Sequence, residues 1–215
     1  MKPWLVAHRG APNEAQENTL DAFKAARKYA VGYIEFDVRI TKDNVAVIHH
    51  DPSIDGALIA ESTYDDLLAL DPQLAKFEDV VNEHSELPLF VELKSNGSAA
   101  HAEEYLRHND ASFATSFIEE ELRMLQDSGI DSKRMFLAQH NHPIGLLSRA
   151  TQNKFGGITL NKWYLNPLLY WRAKRADLTI MIYTVNSSLW ARIVRLFYKE
   201  VLICTDYPDK LERLA

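Results

Sequence analysis

The chemistry that this sequence could support is concentrated in residues 33–51, YIEFDVRITKDNVAVIHHD. Period-two alternation places Glu35 and Asp37 on one face of a predicted strand, about 7 Å apart. A turn at residues 42–44 predicts a hairpin whose returning strand brings His50 towards these carboxylates. Two carboxylates and an imidazole can bind a cation and transfer a proton. Taken alone, however, Glu35 and Asp37 are better explained as a solvated strand face.

Glu92 and Lys94 lie at the end of another predicted strand and share one face across Leu93. They could form a simple ion pair at that strand end. If they lie beside Glu35 and Asp37, the three carboxylates become a set of hard oxygen ligands that suits Mg²⁺ or Ca²⁺. Lys94 would then balance an anionic ligand.

The first predicted strand runs into His8-Arg9-Gly10. His8 alone is better explained as a buried histidine with its hydrogen bonds satisfied. The tripeptide indicates more, because glycine permits a tight turn and the planar guanidinium of Arg9 matches the oxygens of a phosphate. It therefore favours a phosphate site at this strand end.

Strand-like and helix-like segments alternate along the whole chain. The predicted strands are 4–7, 33–40, 89–93, 113–116, 135–139, 157–160, 179–185 and 201–204. The predicted helices are 19–29, 77–84, 99–107, 119–127, 144–151, 167–176 and 189–197, with a short tail at 208–214. This alternation predicts parallel βαβ units, and hence the α/β class. With residues 45–49 assigned to the hairpin, eight strands predict a (β/α)8 TIM barrel, and a doubly wound open sheet is the alternative.

The barrel prediction also positions the polar residues, because catalytic groups of such barrels lie at the carboxyl ends of the strands. Polar groups lie at the end of every predicted strand, at residues 8–10, 35–37, 92–94, 116–117, 139–140, 161–162, 186 and 205–206. One or two could arise by chance. The complete set around one mouth indicates a functional site.

Composition limits the remaining possibilities. The chain has 215 residues, 47% of them apolar and 25% charged, which suits a single globular domain over residues 1–215. A net charge of −6 argues against a nucleic-acid partner. The one cysteine, Cys204, excludes an internal disulfide. No targeting segment or membrane-spanning stretch is recognisable, so we expect a cytoplasmic protein. Nothing in the sequence specifies an oligomeric state.

One aromatic stretch invites a different interpretation. Residues 163–171, WYLNPLLYW, are followed by Arg172, Lys174 and Arg175, and could rest on a membrane surface. An amphipathic barrel helix with a basic last turn explains the stretch as well. We prefer the barrel helix, so peripheral membrane contact is the less favoured interpretation.

Nine short motifs occur in one order from residue 8 to residue 208. They are HRG (8–10), ENT (17–19), EFDV (35–38), TKD (41–43), VIHHD (47–51), VELK (91–94), SF (116–117), YTVN (183–186) and TDYP (205–208). Each is weak alone, but the ordered set is specific. The sequence resembles the glycerophosphodiester phosphodiesterase family, within the phosphatidylinositol phospholipase C-like phosphodiesterases, and the resemblance implies a barrel.

The resemblance also implies a role for seven residues. The positions matched to the family's site are His8, His50, Glu35, Asp37, Glu92, Arg9 and Lys94. The two histidines match the acid/base pair, and the three carboxylates match the ligands of a divalent cation, Mg²⁺ or Ca²⁺. The arginine and the lysine match positions that are expected to contact the phosphate.

The implied activity is metal-dependent hydrolysis of a small-molecule glycerophosphodiester to glycerol 3-phosphate and an alcohol, with histidine acid/base catalysis. The neighbouring glycerol hydroxyl could attack first and form a cyclic phosphate. Two alternatives remain. One is a lysophospholipase D-type activity on lysophospholipids, and the other is a non-catalytic barrel that binds phosphorylated ligands.

The chain departs from the family pattern in two places. The family usually carries an insertion after the second strand that caps the mouth, whereas the segment at about 53–73 is short here. Tyr183 also stands where tryptophan is common before Thr-Val-Asn. We therefore expect a reduced cap with an open headgroup specificity, and unchanged catalytic residues.

Overall fold

A computed structural model of the chain describes residues 2–83, 88–140, 143 and 145–214. The strands are β1 (Lys2–His8), β2 (Val31–Ile40), β3 (Ala46–Ile48), β4 (Ser53–Ile54), β5 (Ala57–Leu58), β6 (Leu89–Leu93), β7 (Phe113–Ser116), β8 (Met135–Gln139), β9 (Gly157–Asn161), β10 (Thr179–Tyr183) and β11 (Leu202–Thr205). Eight of them pair in parallel in the order β1-β11-β10-β9-β8-β7-β6-β2, and β1 pairs with β2 to close the ring. The predicted TIM barrel is confirmed.

Helices cover the outside of the barrel. They are α1 (Leu20–Ala26), α2 (Tyr64–Leu70), α3 (Phe77–Glu83), α4 (Ser98–His108), α5 (Glu119–Asp127), α6 (Leu146–Gln152), α7 (Pro167–Arg175), α8 (Ser188–Phe197) and α9 (Pro208–Leu211). Side-chain caps fix several starts: Thr19, Asn166 and Ser187 each accept a backbone N–H of the first turn. The predicted helices recur within a few residues at their ends, and His84 and Ile144, which two of them include, lie outside the described residues.

The barrel interior has an apolar floor. Val6, Phe90, Phe136, Met181 and Cys204 come from five different strands and form one buried cluster. The Phe90 and Phe136 rings meet edge to face, with centroids 5.0 Å apart. Because side chains alternate along a strand, the residue two positions further on points to the same side, above this floor. On β1, β6 and β10 those residues are His8, Glu92 and Tyr183, which lie at or next to the strand ends.

The segment between β2 and β6 holds most of the structure that the sequence did not predict. β3 pairs antiparallel with β2, Val38 opposite Ile48, as the hairpin prediction requires. Beyond it lie the two-residue strands β4 and β5, a 3₁₀ turn at Ile59–Glu61 and α2. A capping box between Thr63 and Asp66 fixes the start of α2. These pieces share a small buried cluster of their own, formed by Val47, Ile54, Ile59, Leu67 and Leu74.

Within the described residues, no helix combines the length and the apolar character needed to cross a bilayer.

Candidate active site

Three carboxylates meet where β2 and β6 end. Glu35 and Asp37 share one face of β2, and the parallel register sets Asp37 opposite Glu92 of β6. One oxygen from each of the three carboxylates lies within 4.8 Å of the other two. Glu35 and Asp37 are 2% and 1% exposed, so water solvates neither. The alternative of a solvated strand face is wrong, because these strand ends point into the closed barrel.

Asp37 is surrounded by compensating partners. The side-chain amide of Asn18 donates to Asp37 Oδ2 at 2.8 Å, and Arg9 Nε lies 3.2 Å from the same oxygen. Lys94 Nζ lies 3.3 Å from Oδ1. Burial opposes ionisation of this carboxyl, but Lys94, Arg9 and the Asn18 hydrogen bond together lower the pKa of Asp37 below its ordinary value. Asp37 is therefore held as a carboxylate.

Glu35 and Glu92 are less well compensated. Burial first, and then the charge of Asp37, raise the pKa of Glu35 to about 8 and also raise the pKa of Glu92. Glu92 Oε1 lies 3.1 Å from Lys94 Nζ. Even so, Glu35 Oε1 is buried and accepts no hydrogen bond from any residue that the structure describes, and the ion pair with Lys94 is the contact that compensates the buried Glu92 Oε1. Orphaned oxygens of this kind are costly unless a cation compensates them.

The donor set fits a hard divalent cation. Each of the three groups offers a carboxylate oxygen, which is the ligand type of Mg²⁺ and Ca²⁺. Cys204 also approaches Glu35 and His8. Its thiol is buried, which raises its pKa well above the ordinary value, and sulfur is a soft donor that suits neither Mg²⁺ nor Ca²⁺. The geometry thus favours a site of oxygen donors over a thiolate site.

His8 ends β1 and is fixed by a partner from the far end of the chain. His8 Nδ1 and Asp206 Oδ1 are 2.6 Å apart. The side-chain amide of Asn186 donates to the other Asp206 oxygen at 2.6 Å, which orients the carboxylate. Burial works against the imidazolium, but the Asp206 hydrogen bond and the charge of Glu35 raise the pKa of His8 above its ordinary value. The ring is thereby held in one orientation at the mouth.

His50 lies in the loop after β3 and is more exposed. Its Nδ1 is 2.7 Å from Asp51 Oδ1, and its carbonyl oxygen accepts two hydrogen bonds from Arg39, at 2.9 and 2.6 Å. The side chain of His50 is 36% exposed, and that of Asp51 is 70% exposed. Burial lowers the pKa of His50, although the charge of Asp37 partly offsets it.

Arg9 is engaged on several sides. Its backbone N–H donates to Glu35 Oε2 at 3.0 Å, and its Nη1 donates to Glu17 Oε1 at 2.6 Å. The backbone of Arg9 has a φ of 53°, in the left-handed region that a residue with a Cβ rarely adopts. Gly10 follows at φ 88°, and a Cβ there would lie 2.6 Å from the backbone of Ala22. The HRG turn thus packs directly on α1.

The rest of the mouth is aromatic. Phe117 stacks on His140 with ring centroids 3.8 Å apart and meets Tyr183 at 6.3 Å. The hydroxyl of Tyr183 is buried and has no hydrogen-bond partner among the described residues. Burial, and then the charge of Glu92, raise its pKa, so the phenol stays protonated. Asn141 and His142, which follow His140, lie outside the described residues.

All seven residues singled out in the sequence meet at this mouth. Six of them line one cavity, and Asp37 lies behind it in contact with Arg9 and Lys94. Three polar partners, Asn18, Asn186 and Asp206, have no role predicted from the sequence. Each lies inside one of the nine motifs, and that position was the one indication in the sequence of a role. Their partners are distant in the chain: Asn18 and Asp37 are 19 residues apart, Asn186 and Asp206 are 20 apart, and Asp206 and His8 are 198 apart.

Comparison with known proteins agrees with this geometry. Residues 8–210 match the glycerophosphoryl diester phosphodiesterase family. YhdW of Bacillus subtilis (strain 168) carries the provisional name of a glycerophosphodiester phosphodiesterase. It is 28% identical to this chain, and the match covers 96% of this chain and 95% of YhdW. An Oleispira antarctica phosphodiesterase, solved with the product sn-glycerol-3-phosphate, has a TM-score of 0.85 at 20% identity, covering 98% of this chain and 95% of its own.

A glycerophosphodiester phosphodiesterase of Thermotoga maritima has a TM-score of 0.83 at 19% identity, covering 99% of this chain and 98% of its own. At these identities the solved structures support the fold, whereas the family match carries the assignment. The resemblance found in the motifs is confirmed: this chain belongs to the glycerophosphoryl diester phosphodiesterase family and is an enzyme of that family.

Proposed function

We propose that the chain hydrolyses glycerophosphodiesters to glycerol 3-phosphate and an alcohol, with a divalent cation and two histidines. The observation that carries the proposal is the convergence of three buried carboxylates whose oxygens lie within 4.8 Å of one another. Two histidines, each beside its own aspartate, border the same mouth. The Oleispira antarctica phosphodiesterase, solved with sn-glycerol-3-phosphate, supports the same product here.

Glu35, Asp37 and Glu92 would hold the cation. When bound, Mg²⁺ or Ca²⁺ would stabilise the negative charge that develops on the phosphoryl oxygens. Lys94 lies 3.1 and 3.3 Å from two of these carboxylates and would face the same anion. Arg9 contributes mainly by holding Glu35 and Asp37 in place, since its backbone and guanidinium already contact them.

His8 and His50 would act as the acid/base pair. One imidazole takes the proton of the attacking hydroxyl as the new P–O bond forms. The other donates a proton to the departing alcohol as the old P–O bond breaks. Asp206 and Asp51 each engage a ring Nδ1, which fixes the tautomer and leaves Nε2 to exchange the proton.

The attacking group would be the substrate's own glycerol hydroxyl next to the phosphate ester. Two candidate protein nucleophiles near the mouth are unsuited to this role: Cys204 is buried and protonated, and the Ser116 hydroxyl donates to the carbonyl of Leu93 at 2.6 Å. Intramolecular attack gains from proximity, by up to about 7–11 kcal/mol in ideal geometry. Water would then open the cyclic phosphate with the two histidines exchanging roles.

Tyr183 would contact the substrate directly. Its hydroxyl is a buried donor with no partner among the described residues, and it lines the same cavity as Glu92 and Lys94. A substrate oxygen would satisfy it. The tryptophan that is common in the family at this position has no hydroxyl, so this contact would be specific to tyrosine.

Residues 53–73 would serve as a reduced cap within a single domain spanning residues 1–215. Asp71 and Gln73 line a small groove together with His50 and Glu17. Gln16 of the β1–α1 loop donates to Asp71 at 3.3 Å, which joins the segment to the rim. The segment therefore borders the position where a headgroup would leave the phosphate.

The test is release of glycerol 3-phosphate from glycerophosphocholine, glycerophosphoethanolamine and glycerophosphoglycerol, assayed with Mg²⁺, Ca²⁺ and Mn²⁺ after chelation. We expect release that requires one of these ions, and none from the double variant Glu35→Gln, Asp37→Asn. Metal-independent release would contradict the proposal. An analogue whose neighbouring glycerol hydroxyl is replaced by hydrogen tests the internal attack: hydrolysis near the parent rate would exclude it.

A lysophospholipase D-type activity is the second candidate. It is favoured by one observation, the large exposed side chains of Trp163 and Leu168 near the mouth. Lysophosphatidylcholine in the same assay separates the two, because release of choline with lysophosphatidic acid rather than glycerol 3-phosphate would identify this activity.

A further inference from the structure

The outer surface of α7 and α8 is unusually apolar. Seven of the ten large hydrophobic side chains that are exposed in the described part of the chain lie between residues 163 and 197. They are Trp163, Leu168, Trp171, Leu189, Ile193, Leu196 and Phe197, and we call this set the α7–α8 face. Trp163, Leu189 and Leu196 are 68, 69 and 67% exposed, so the side chains project outward.

The two helices that carry most of this face are neighbours on the barrel, and Trp171 also borders a groove between α7 and α6. They follow β9 and β10, which are neighbours in the barrel. Two aromatic pairs join them, Trp163 with Trp190 at 5.9 Å and Tyr170 with Tyr198 at 5.1 Å between ring centroids. Each helix already buries its inner side, for example Ala173 of α7. The barrel-helix interpretation is therefore sufficient for the inner side, but it leaves the outer apolar stripe unexplained.

The face also has its own charge. Residues 162–199 contain seven lysines and arginines and one acidic residue, a net charge of +6. The whole chain carries −6, so the remaining residues together carry −12. Arg172 and Arg192 are exposed in the same helical turns as the apolar side chains. The Arg175 guanidinium lies over the Trp171 ring at 4.6 Å.

We propose that the α7–α8 face binds the surface of an anionic lipid bilayer. Exposed tryptophan, leucine and phenylalanine side chains enter the headgroup boundary, and the interleaved arginines meet anionic headgroups. A second copy of the chain fits less well, because a two-fold contact through this face would bring its exposed arginines, Arg172 and Arg192, towards the same arginines of the second copy. This inference is independent of the catalytic roles proposed above.

The face begins at the mouth of the barrel. Trp163 lies in the 3₁₀ turn that directly follows β9, at the end of the barrel that holds the site. Lys162 anchors this turn through a hydrogen bond from Nζ to the carbonyl of Thr184, at 2.6 Å. A barrel bound through this face therefore has its mouth beside the bilayer surface.

The test is co-sedimentation of the full chain with vesicles of phosphatidylcholine alone and of equimolar phosphatidylcholine and phosphatidylglycerol. We expect binding to the anionic vesicles at least about tenfold stronger than to the neutral ones, and weaker in high salt. The double variant Leu189→Glu, Leu196→Glu should reduce binding to anionic vesicles by at least about tenfold. Met124→Glu, at an exposed apolar residue of α5, is the matched control and should bind like the wild type.

Hydrolysis of a soluble glycerophosphodiester, unchanged in both variants, would show that they are folded. Equal binding to both kinds of vesicle, or equal binding by the double variant and the wild type, would overturn the proposal. A third result would also overturn it. If the wild type binds no vesicles but forms a concentration-dependent dimer in light scattering, and the double variant does not, then the face serves self-association.

Discussion

The mouth of the barrel has two halves that are built differently. One half is carried by strands: Glu35, Asp37 and Glu92 come from paired strands, and the first two are almost fully buried. The other half is carried by the loop after β3, where His50 is 36% and Asp51 70% exposed. Strand register sets the positions in the first half, whereas the second depends on a short loop and a few hydrogen bonds.

The difference follows from electrostatics. Three carboxylates that approach within 4.8 Å repel one another, so only a rigid frame can hold them together. The barrel supplies that frame, and Arg9 and Lys94 offset part of the repulsion. His50 carries no comparable repulsion and, as a proposed acid or base, needs access to substrate. On the mechanism proposed above, the strand half would bind charge, and the loop half would meet varied substrates.

The largest effect on kcat should come from replacing the two histidines, His8 at the end of strand β1 and His50 in the loop after β3. His8→Asn and His50→Asn should each lower kcat by about 10²–10⁴-fold, because each removes a general acid or base. Metal binding should persist in both, as measured by calorimetry. His49→Asn is the matched control, since His49 Nδ1 hydrogen-bonds to the carbonyl of Asp51 and His49 is not among the described residues that line the cavity of His8 and His50. A His50 variant with near wild-type kcat would show that the loop half supplies no proton-transfer group.

The burial and the mutual repulsion of the strand-half carboxylates should become measurable in chelator, where no divalent cation offsets them. The folded pKa of Glu35, about 8, lies above its ordinary value of 4.5, so the unfolded chain loses this proton first. Glu35 therefore makes the free energy of unfolding fall as pH rises from about 4.5 to 8, by roughly 3–5 kcal/mol. Glu35→Gln should remove this fall and be more stable than the wild type at pH 8 in chelator.

Denaturant unfolding at pH 5 and pH 8 measures this effect. Glu120→Gln, at an exposed position of α5, serves as the control and should follow the wild type. If Glu35→Gln is less stable than the wild type at pH 8 in chelator, then burial and the charge of Asp37 do not destabilise the Glu35 carboxylate as described.

The aspartates behind the two histidines should differ. Asp206 is fixed by Asn186 and lies 2.6 Å from His8, so Asp206→Asn should lower kcat by up to about a hundredfold through a misplaced ring. Asp51 is largely exposed, and an exposed pair contributes about 0.2–1 kcal/mol, so Asp51→Asn should change kcat less than about fivefold. Equal losses would remove the distinction between the two halves.

The smallest effect should be on headgroup choice. Because residues 53–73 offer only short elements beside the mouth, kcat/KM should differ by less than about a thousandfold among the choline, ethanolamine and glycerol diesters. Asp71→Ala should change KM by a few fold at most. A ratio far above a thousandfold between two of these substrates would show that the short segment selects the headgroup.

The strand half was predictable from the sequence, and the reason is local. The strands at 89–93, 113–116 and 135–139 begin and end where predicted. Alternation then places Glu35 and Asp37 on one face, and barrel closure brings Glu92 beside them. The family motifs led to the same residues.

The remainder depends on contacts that no local pattern encodes. Asp206 reaches His8 across 198 positions, and only the closure of β1 against β11 brings the two together. The strands β4 and β5 have two residues each, too few to show a period. The predicted amphipathic barrel helix at 167–176 accounts for the buried side of α7. Which of its apolar side chains stay exposed depends on the packing of the neighbouring helices, which the sequence pattern does not show.

The most direct test of the central claim is a calorimetric titration of chelator-treated protein with Mg²⁺ and Ca²⁺, read together with glycerol 3-phosphate release. We predict one site per chain, activity that rises with its occupancy, and loss of both in Asp37→Asn, whereas Asp110→Asn, at a side chain that is 96% exposed, behaves like the wild type. Unchanged cation binding in Asp37→Asn, or full activity in the stripped wild type, would contradict a catalytic cation held by Glu35, Asp37 and Glu92.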